Sequence, residues 1–351
     1  MTAIEFVRKA ARRKVRADSA LIEHAARTRD CAVQRIGVDT VLVRLGGQWV
    51  AFQDMNGPTS SAAAKDVCDD KMATRRLLAA AGLPTPTSRA FPLDGLEEAW
   101  AFASSLDGPV VLKPASMAKG RGVSTGITDR EAFVAAWQAA TALYDPPGEG
   151  TTLVEDHVRA PSVLVEEEVP GGDVRFFVVG ERVVSAIERR PASVRGDGRR
   201  SVADLIEATN AERVANPVAV AAPIPLEASA LDGLAASGRD LADVPEAGEV
   251  VVLAGSSRVA AGAASVAVTE AVHPGLAEVA VAALAAVPGL CYGGVDVLAS
   301  AVGEAPAPGN HVVAEVEFAP GPTAHFPSEG EPRDVAGAIL DLYLTHPDLR
   351  W

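Results

Sequence analysis

Three acidic residues lie within two apolar segments that have the pattern of β-strands. Glu315 and Glu317 alternate with apolar residues in the segment 313–318, and Asp296 is flanked by valines in the segment 294–297. Side chains two residues apart in a strand share a face, so Glu315 and Glu317 are predicted to point the same way. Unpaired carboxylates are costly to bury, whereas Mg²⁺ is held by one or two carboxylates together with substrate phosphates. The pattern is compatible with a magnesium site or with two edge strands that carry solvated acids. Only the candidate phosphate-binding residues upstream favour the magnesium site.

A second group of residues, upstream of the acids, is suited to binding phosphate. Lys71 lies in the first turn of a predicted helix, where the helix dipole disfavours a cation, so an anionic partner would explain it. Lys113 ends a short apolar strand, and a loop rich in glycine and cations follows at residues 116–123. Glycine permits close backbone approach, and free N–H groups can cradle a phosphate. The loop lacks the Walker spacing, so taken alone it is better explained as an ordinary surface turn. Its candidate residues are Ser116, Lys119, Gly120 and Gly122.

Hydrophobic periodicity and turn residues predict the elements that must position these side chains. Residues 1–70 have the pattern of a small α/β unit, in which Ser19 is predicted to cap a helix and Gly46-Gly47 to turn a hairpin. Further helices are predicted at residues 72–81, 131–143, 202–215, 276–287 and 334–344. Further strands are predicted at residues 110–113, 162–169, 174–179, 182–188 and 250–253.

Composition and charge narrow the class of protein. A length of 351 residues is compatible with one to three domains and a large core. The net charge of −14 argues against nucleic acid or an anionic membrane as a partner, although local charge can still bind phosphate. Three widely spaced cysteines fit reduced thiols in a cytoplasmic protein, and no apolar run reaches the ~18 residues of a membrane span.

Six parts of the chain together form a recognisable pattern: Asp70–Arg75, Val111–Pro114, Gly120–Val123, Val165–Arg175, Arg190–Ala192 with Gly196–Gly198, and His325–Gly330. This pattern resembles the ATP-grasp superfamily of carboxylate–amine ligases, in particular the ATP-grasp regions of cyanophycin synthetase and of bifunctional glutathione synthetase. The resemblance covers roughly residues 17–345.

The resemblance implies an α+β protein with the ATP-grasp fold. A small N-terminal α/β domain would span residues 1–70, and the ATP-grasp domain would span residues 71–351. Within the latter, a lid subdomain at about residues 110–175 and a catalytic subdomain at about residues 176–351 would clasp the nucleotide.

The same resemblance implies a role for each candidate residue, with ATP and two Mg²⁺ ions, or Mn²⁺ in their place, as cofactors. Lys71 and Lys113 would hold phosphates, and the loop 116–123 would close over them. Adenine would meet Glu166, Glu167 and Val169, the ribose would meet Asp173, and the metal ions would be held by Asp296, Glu315 and Glu317.

The implied reaction joins an amino-acid carboxylate to an amino-acid amine through an acyl phosphate. Arg190 is the candidate for steadying the acyl phosphate, and Arg258 is the candidate for binding a substrate carboxylate. An exposed strand arginine is an equally good explanation of each. The chain departs from the family at Glu317, where relatives usually carry asparagine, and around Arg258.

The substrates and the assembly stay open. The expected product is a dipeptide or a γ-glutamyl-amino acid of specialised metabolism. The alternatives are a glutathione-synthetase-type tripeptide ligase and a non-catalytic nucleotide-binding regulator with a decayed site. A homodimer is possible.

Overall fold

The computed structural model describes residues 1–115, 122–144, 161–215, 223–227, 231–255 and 262–350. The α-helices in these ranges are α1 Ala3–Ala11, α2 Ala17–Arg27, α3 Ala62–Asp69, α4 Lys71–Ala80, α5 Leu96–Ala103, α6 Arg130–Thr141, α7 Val202–Ala215, α8 Asp232–Ala236, α9 Pro274–Ala285 and α10 Val335–Thr345. None of these helices in the described ranges has both the length and the apolar character needed to cross a membrane.

The strands of the described ranges form four sheets. They are β1 Val33–Arg35, β2 Thr40–Leu45, β3 Gln48–Gln53, β4 Ser88–Pro92, β5 Val110–Pro114, β6 Ser124–Ile127, β7 Ser162–Glu167, β8 Gly172–Val179, β9 Arg182–Arg190, β10 Ser193–Arg195, β11 Val250–Val252, β12 Ala264–Ala267, β13 Tyr292–Ala299 and β14 His311–Glu317. The sheet orders are β1-β2-β3, β4-β7-β5-β6, β12-β9-β8-β13-β14 and β10-β11. Their strand pairs are antiparallel, so the α+β class is confirmed.

One face of the five-stranded sheet is mostly apolar, with Glu188 and Arg190 at the end of β9 as polar exceptions, and the opposite face is part apolar and part charged. Phe176 and its apolar neighbours on one face pack against α9. On the opposite face, Phe177 and Tyr292 belong to a second core, whereas Arg175 pairs across the strands with Asp296. Because strand side chains alternate, the same two strands supply both a hydrophobic core and a row of charges. The charged end of this face is the part of the sheet that can do chemistry.

The N-terminal residues share their core with the C-terminal helix. The hairpin predicted around Gly46-Gly47 is formed by β2 and β3, and both glycines have positive φ, at 56° and 91°. Helix α10 packs beside α2, where Arg29 donates to Asp341 at 2.7 Å. The N-terminal elements and the C-terminal helix α10 therefore pack together. The domain boundary at residue 70 stays a prediction.

Helix α2 begins earlier than the sequence suggests. Its first residue is Ala17, so Ser19, predicted as the N-cap, lies inside the helix and is fully buried. The Ser19 hydroxyl accepts instead from Arg35 at 2.8 Å. The Ser19 hydroxyl thus bonds to a residue distant in sequence and not to the helix backbone. The prediction that Ser19 caps the helix was wrong.

Helix α4 begins at Lys71, one residue before the predicted start, because Asp70 caps it. The Asp70 carboxylate accepts from the backbone N–H groups of Met72 and Ala73, both at 3.0 Å. A carboxylate at this position also offsets the unfavourable placement of a lysine in the first turn. The cap therefore fixes the direction in which Lys71 leaves the helix.

The substitution Asp70→Ala should lower the free energy of unfolding by about 1 kcal/mol, the usual cost of losing an N-cap. Urea unfolding followed by circular dichroism would measure this change. Asp107→Ala, at an exposed turn residue, is the matched control and should leave the free energy of unfolding unchanged. Equal stability of the two variants would show that the cap contributes nothing.

Candidate active site

The structure brings the three predicted metal ligands together. Asp296 on β13 lies directly opposite Glu315 on β14, and Glu317 follows two residues later on the same face. Carboxylate oxygens of the three residues lie within 4.8 Å of one another. Asp296 is buried, while the Glu315 and Glu317 side chains are 29% and 35% exposed. The cluster thus has one buried carboxylate, Asp296, and two carboxylates that solvent can reach.

Two arginines from the neighbouring strands neutralise part of this charge. Arg175 on β8 donates to both oxygens of Asp296 and, at 2.7 Å each, to both oxygens of Glu317. Arg189 on β9 donates to Asp296 at 2.7 Å and to Asp173 at 2.6 Å. Sequence reasoning gave neither arginine a role. The signal was available, since Asp173 and Arg175 share one face of a strand, but the register that sets them against Asp296 is not local.

Burial and charge act differently on the acids. Burial raises the pKa of Asp296, but Arg175 and Arg189 outweigh this effect and hold that pKa below its usual range. Burial raises the pKa of Glu317, against Arg175, and the neighbouring charges of Asp296 and Glu315 raise it further. Asp296 is therefore firmly ionised, and a cation placed beside Glu317 would favour its ionised form.

The two predicted phosphate lysines reach this region from separate elements. Lys71 on α4 donates to Glu315 at 2.9 Å. Lys113 on β5 donates to Glu166 on β7 at 2.7 Å, and Arg75 on α4 donates to the other oxygen of Glu166. Helix α4 thus contacts the five-stranded sheet through Lys71 and the four-stranded sheet through Arg75. Cations and carboxylates from both sheets meet around one helix.

Comparison with known proteins identifies this arrangement. Residues 70–171 match the family model described as carbamoyl-phosphate synthase L chain, ATP binding domain. A cyanophycin synthetase from Nostoc sp. is 33% identical over 277 residues, which are 78% of this chain and 29% of that protein. The chain belongs to the ATP-grasp superfamily. A glutathione biosynthesis bifunctional protein from Clostridium perfringens is 30% identical over 285 residues, covering 79% of this chain and 34% of that protein.

A solved structure supports the ATP-grasp fold independently. The crystal structure of a bifunctional glutathione synthetase from Pasteurella multocida aligns with a TM-score of 0.68 and 23% identity. The alignment covers 94% of this chain and 44% of that one. The chain therefore spans less than half the length of the relatives it matches.

The acidic cluster of this ATP-grasp chain fits Mg²⁺. Asp296, Glu315 and Glu317 offer only oxygen atoms, which Mg²⁺ prefers, and these atoms converge. The exposed sides of Glu315 and Glu317 leave room for phosphate oxygens and water, which Mg²⁺ usually keeps as ligands. The third carboxylate, Glu317, accepts from Arg175, which compensates for its charge.

Some of the other predicted site residues lie in the part of the chain that the structure describes, and some lie outside it. Glu167 accepts through its side chain from the Thr87 N–H at 2.9 Å, and Val169 follows the end of β7. Gly122 has a φ of 69°, and a Cβ there would meet Leu143 at 2.5 Å, so the position requires glycine. Ser116, Lys119, Gly120 and Arg258 lie outside the described residues.

Arg190 is not brought to the acidic cluster. Its guanidinium donates to Glu188, two residues away on the same face of β9, at 2.6 Å and 2.9 Å, and the side chain is 50% exposed. Strand alternation sends Arg189 to the opposite face, where it meets Asp173 and Asp296. Arg189, one residue earlier, is thus the arginine that meets the acidic cluster, and the role of Arg190 stays a prediction.

His325 packs against the same face of the sheet as the charged residues, beside Phe177 and Ser185. It is fully buried, with Nδ1 at 2.8 Å from the Ser185 hydroxyl and its ring edge-on to Phe177. Burial, reinforced by the nearby Arg175, lowers the pKa of His325 to about 3. The motif residue His325 is therefore neutral at physiological pH.

Proposed function

We propose that this chain is an ATP-dependent, ADP-forming carboxylate–amine ligase that joins two amino-acid substrates through an amide bond. The observation that carries the proposal is the meeting of three carboxylates with Lys71, next to Lys113 on the adjoining sheet. The similarity to a cyanophycin synthetase and to a glutathione biosynthesis protein supports the same class of reaction.

The cofactors follow from the charges of the site. Lys71 and Lys113 would hold the phosphates of ATP as point charges, and Asp296, Glu315 and Glu317 would hold two Mg²⁺ ions, with Mn²⁺ as an alternative. Bound there, Mg²⁺ would neutralise charge on the β- and γ-phosphates. Glu315, which now accepts from Lys71, would be the metal ligand nearest to a phosphate held by that lysine. Asp173 would accept from the ribose, and Glu166, Glu167 and Val169 would line the adenine site.

The reaction has two balanced steps. In the first, a substrate carboxylate oxygen attacks the γ-phosphorus, the bond to the bridging oxygen breaks, and ADP leaves. In the second, an amine nitrogen attacks the carbonyl carbon of the acyl phosphate, phosphate leaves with the bonding electrons, and the nitrogen loses a proton. The work of the protein is to position the reactants and to stabilise negative charge. Arg189, which donates to Asp296, is the candidate for meeting the oxyanion, and Arg258 stays a candidate for binding a substrate carboxylate.

The proposed substrates are two amino acids, or a γ-glutamyl donor and an amino acid. The full chain would be incubated with ATP, Mg²⁺ and pairs of amino acids, with ADP, AMP and amide products followed by mass spectrometry. We expect ADP release that requires both substrates, and a product heavier than either amino acid. AMP release would contradict the acyl-phosphate route. Turnover confined to γ-glutamylcysteine with glycine would favour a glutathione synthetase, and ATP binding without turnover by any pair would favour the regulator.

A further inference from the structure

Two cations of α4 lie one helical turn apart and have different surroundings. Lys71 and Arg75 are four residues apart, so they project from the same face of the helix. Lys71 reaches Glu315, which solvent can approach, and Arg75 reaches Glu166, which is buried. The Lys71 contact is therefore open to exchange with a ligand, whereas the Arg75 contact is enclosed.

Arg75 leaves part of its binding capacity unused. The residue is only 4% exposed, and its Nε and Nη1 atoms are buried without a hydrogen-bond partner among the described residues. Buried donors are almost always hydrogen-bonded, and an unpaired buried charge is costly. Among the described residues, Glu166 is therefore the acceptor that holds the Arg75 guanidinium in place.

The charges around Glu166 link Arg75 to Lys113. One carboxylate faces two cations, Lys113 from β5 and Arg75 from α4, and Lys71 lies near enough to act on Lys113. Burial lowers the pKa of Lys113, and Glu166 opposes that effect. Arg75 holds one oxygen of Glu166 while Lys113 holds the other, so the position of Lys113 depends on the orientation that Arg75 imposes.

We propose that Arg75 is a positioning residue for ATP. It fixes the Glu166 carboxylate and, through that carboxylate, the position of Lys113. Lys113 on the four-stranded sheet and the cations of α4 then form one preformed positively charged surface for the nucleotide. This inference rests on the proposed ATP binding. Arg75 acts through Glu166 and Lys113 and touches none of the reacting atoms. Its loss should therefore weaken the binding of ATP and leave the chemical step largely intact.

The test compares Arg75→Met, Arg75→Lys and the control Arg76→Met in the full chain. Arg76 is the exposed neighbour on the same helix. Binding of ATP with Mg²⁺ would be measured by calorimetry, and KM and kcat by ADP release. For Arg75→Met we expect the Kd and the KM for ATP to rise roughly tenfold or more, with kcat at saturating ATP within about threefold of the wild type. Arg75→Lys, which keeps the charge but only one donor group, should lie between, and Arg76→Met should match the wild type.

The outcomes separate this inference from the proposed function. A wild-type chain that does not bind ATP would overturn both. Wild-type binding together with an unchanged Kd in Arg75→Met, or a loss of kcat without a change in KM, would overturn only the role of Arg75. If Arg75→Met does not fold, Arg75→Lys decides: a Kd within about twofold of the wild type would contradict the proposal.

Discussion

Replacing Glu315 with glutamine should remove most ATP turnover while leaving the fold intact. Glutamine has nearly the same shape, and Glu315 is partly exposed with Lys71 as its hydrogen-bonded cation, so little packing is lost. The charge, however, is one of three that would hold Mg²⁺ against the phosphates. Loss of one such group from a charge-stabilising site commonly costs 10²–10³ in rate, so we expect kcat/KM for ADP release to fall roughly 100-fold or more.

The control for this prediction is Glu304→Gln, at an exposed loop residue that has the same chemistry and lies outside the cluster. Both variants would be assayed for ADP release over a series of Mg²⁺ concentrations. For Glu315→Gln we also expect a higher Mg²⁺ requirement, because one oxygen ligand has lost its charge. Wild-type turnover by Glu315→Gln at low Mg²⁺ would rule out a role for this carboxylate in metal binding.

Local sequence predicted the parts of this site that depend on one strand or one helix. The alternation around Glu315 and Glu317 correctly placed both carboxylates on one face, and Asp70 marked the start of α4 to within one residue. These features follow from periods of two and of 3.6 residues and from the chemistry of a helix cap. They need no knowledge of what lies across the sheet.

The features that sequence missed all depend on register or on distant packing. The choice between Arg189 and Arg190 is a shift of one residue, which sends a side chain to the other face of a strand. Arg175 meets Asp296 only because β8 and β13 pair in one particular register, across 121 residues of sequence. The same applies to Arg75, whose partner Glu166 lies 91 residues away. A cation in a helix gives no local sign of which carboxylate it will contact.

Replacing Arg175 with methionine should produce the largest loss of stability among these variants. Arg175 is buried and holds both Asp296 and Glu317. Methionine preserves much of the volume but leaves Glu317 without its cation, while Asp296 keeps only Arg189. Removing one partner of a buried ion pair typically costs about 3–5 kcal/mol, and we expect a loss of this size in the free energy of unfolding. Arg190→Met, which removes an exposed pair with Glu188, should cost about 1 kcal/mol or less.

Mg²⁺ should restore more stability to Arg175→Met than it gives to the wild type. Without the guanidinium, three carboxylates face fewer competing cations, so they should bind Mg²⁺ more tightly and draw a larger share of it to the folded state. Urea unfolding with and without Mg²⁺ would measure both effects. The two expected effects have opposite signs. Without Mg²⁺ the variant has a lower free energy of unfolding than the wild type, but Mg²⁺ raises that free energy more in the variant. Generic core damage would produce only the first, and an equal gain from Mg²⁺ in both proteins would show that Asp296, Glu315 and Glu317 do not form the metal site.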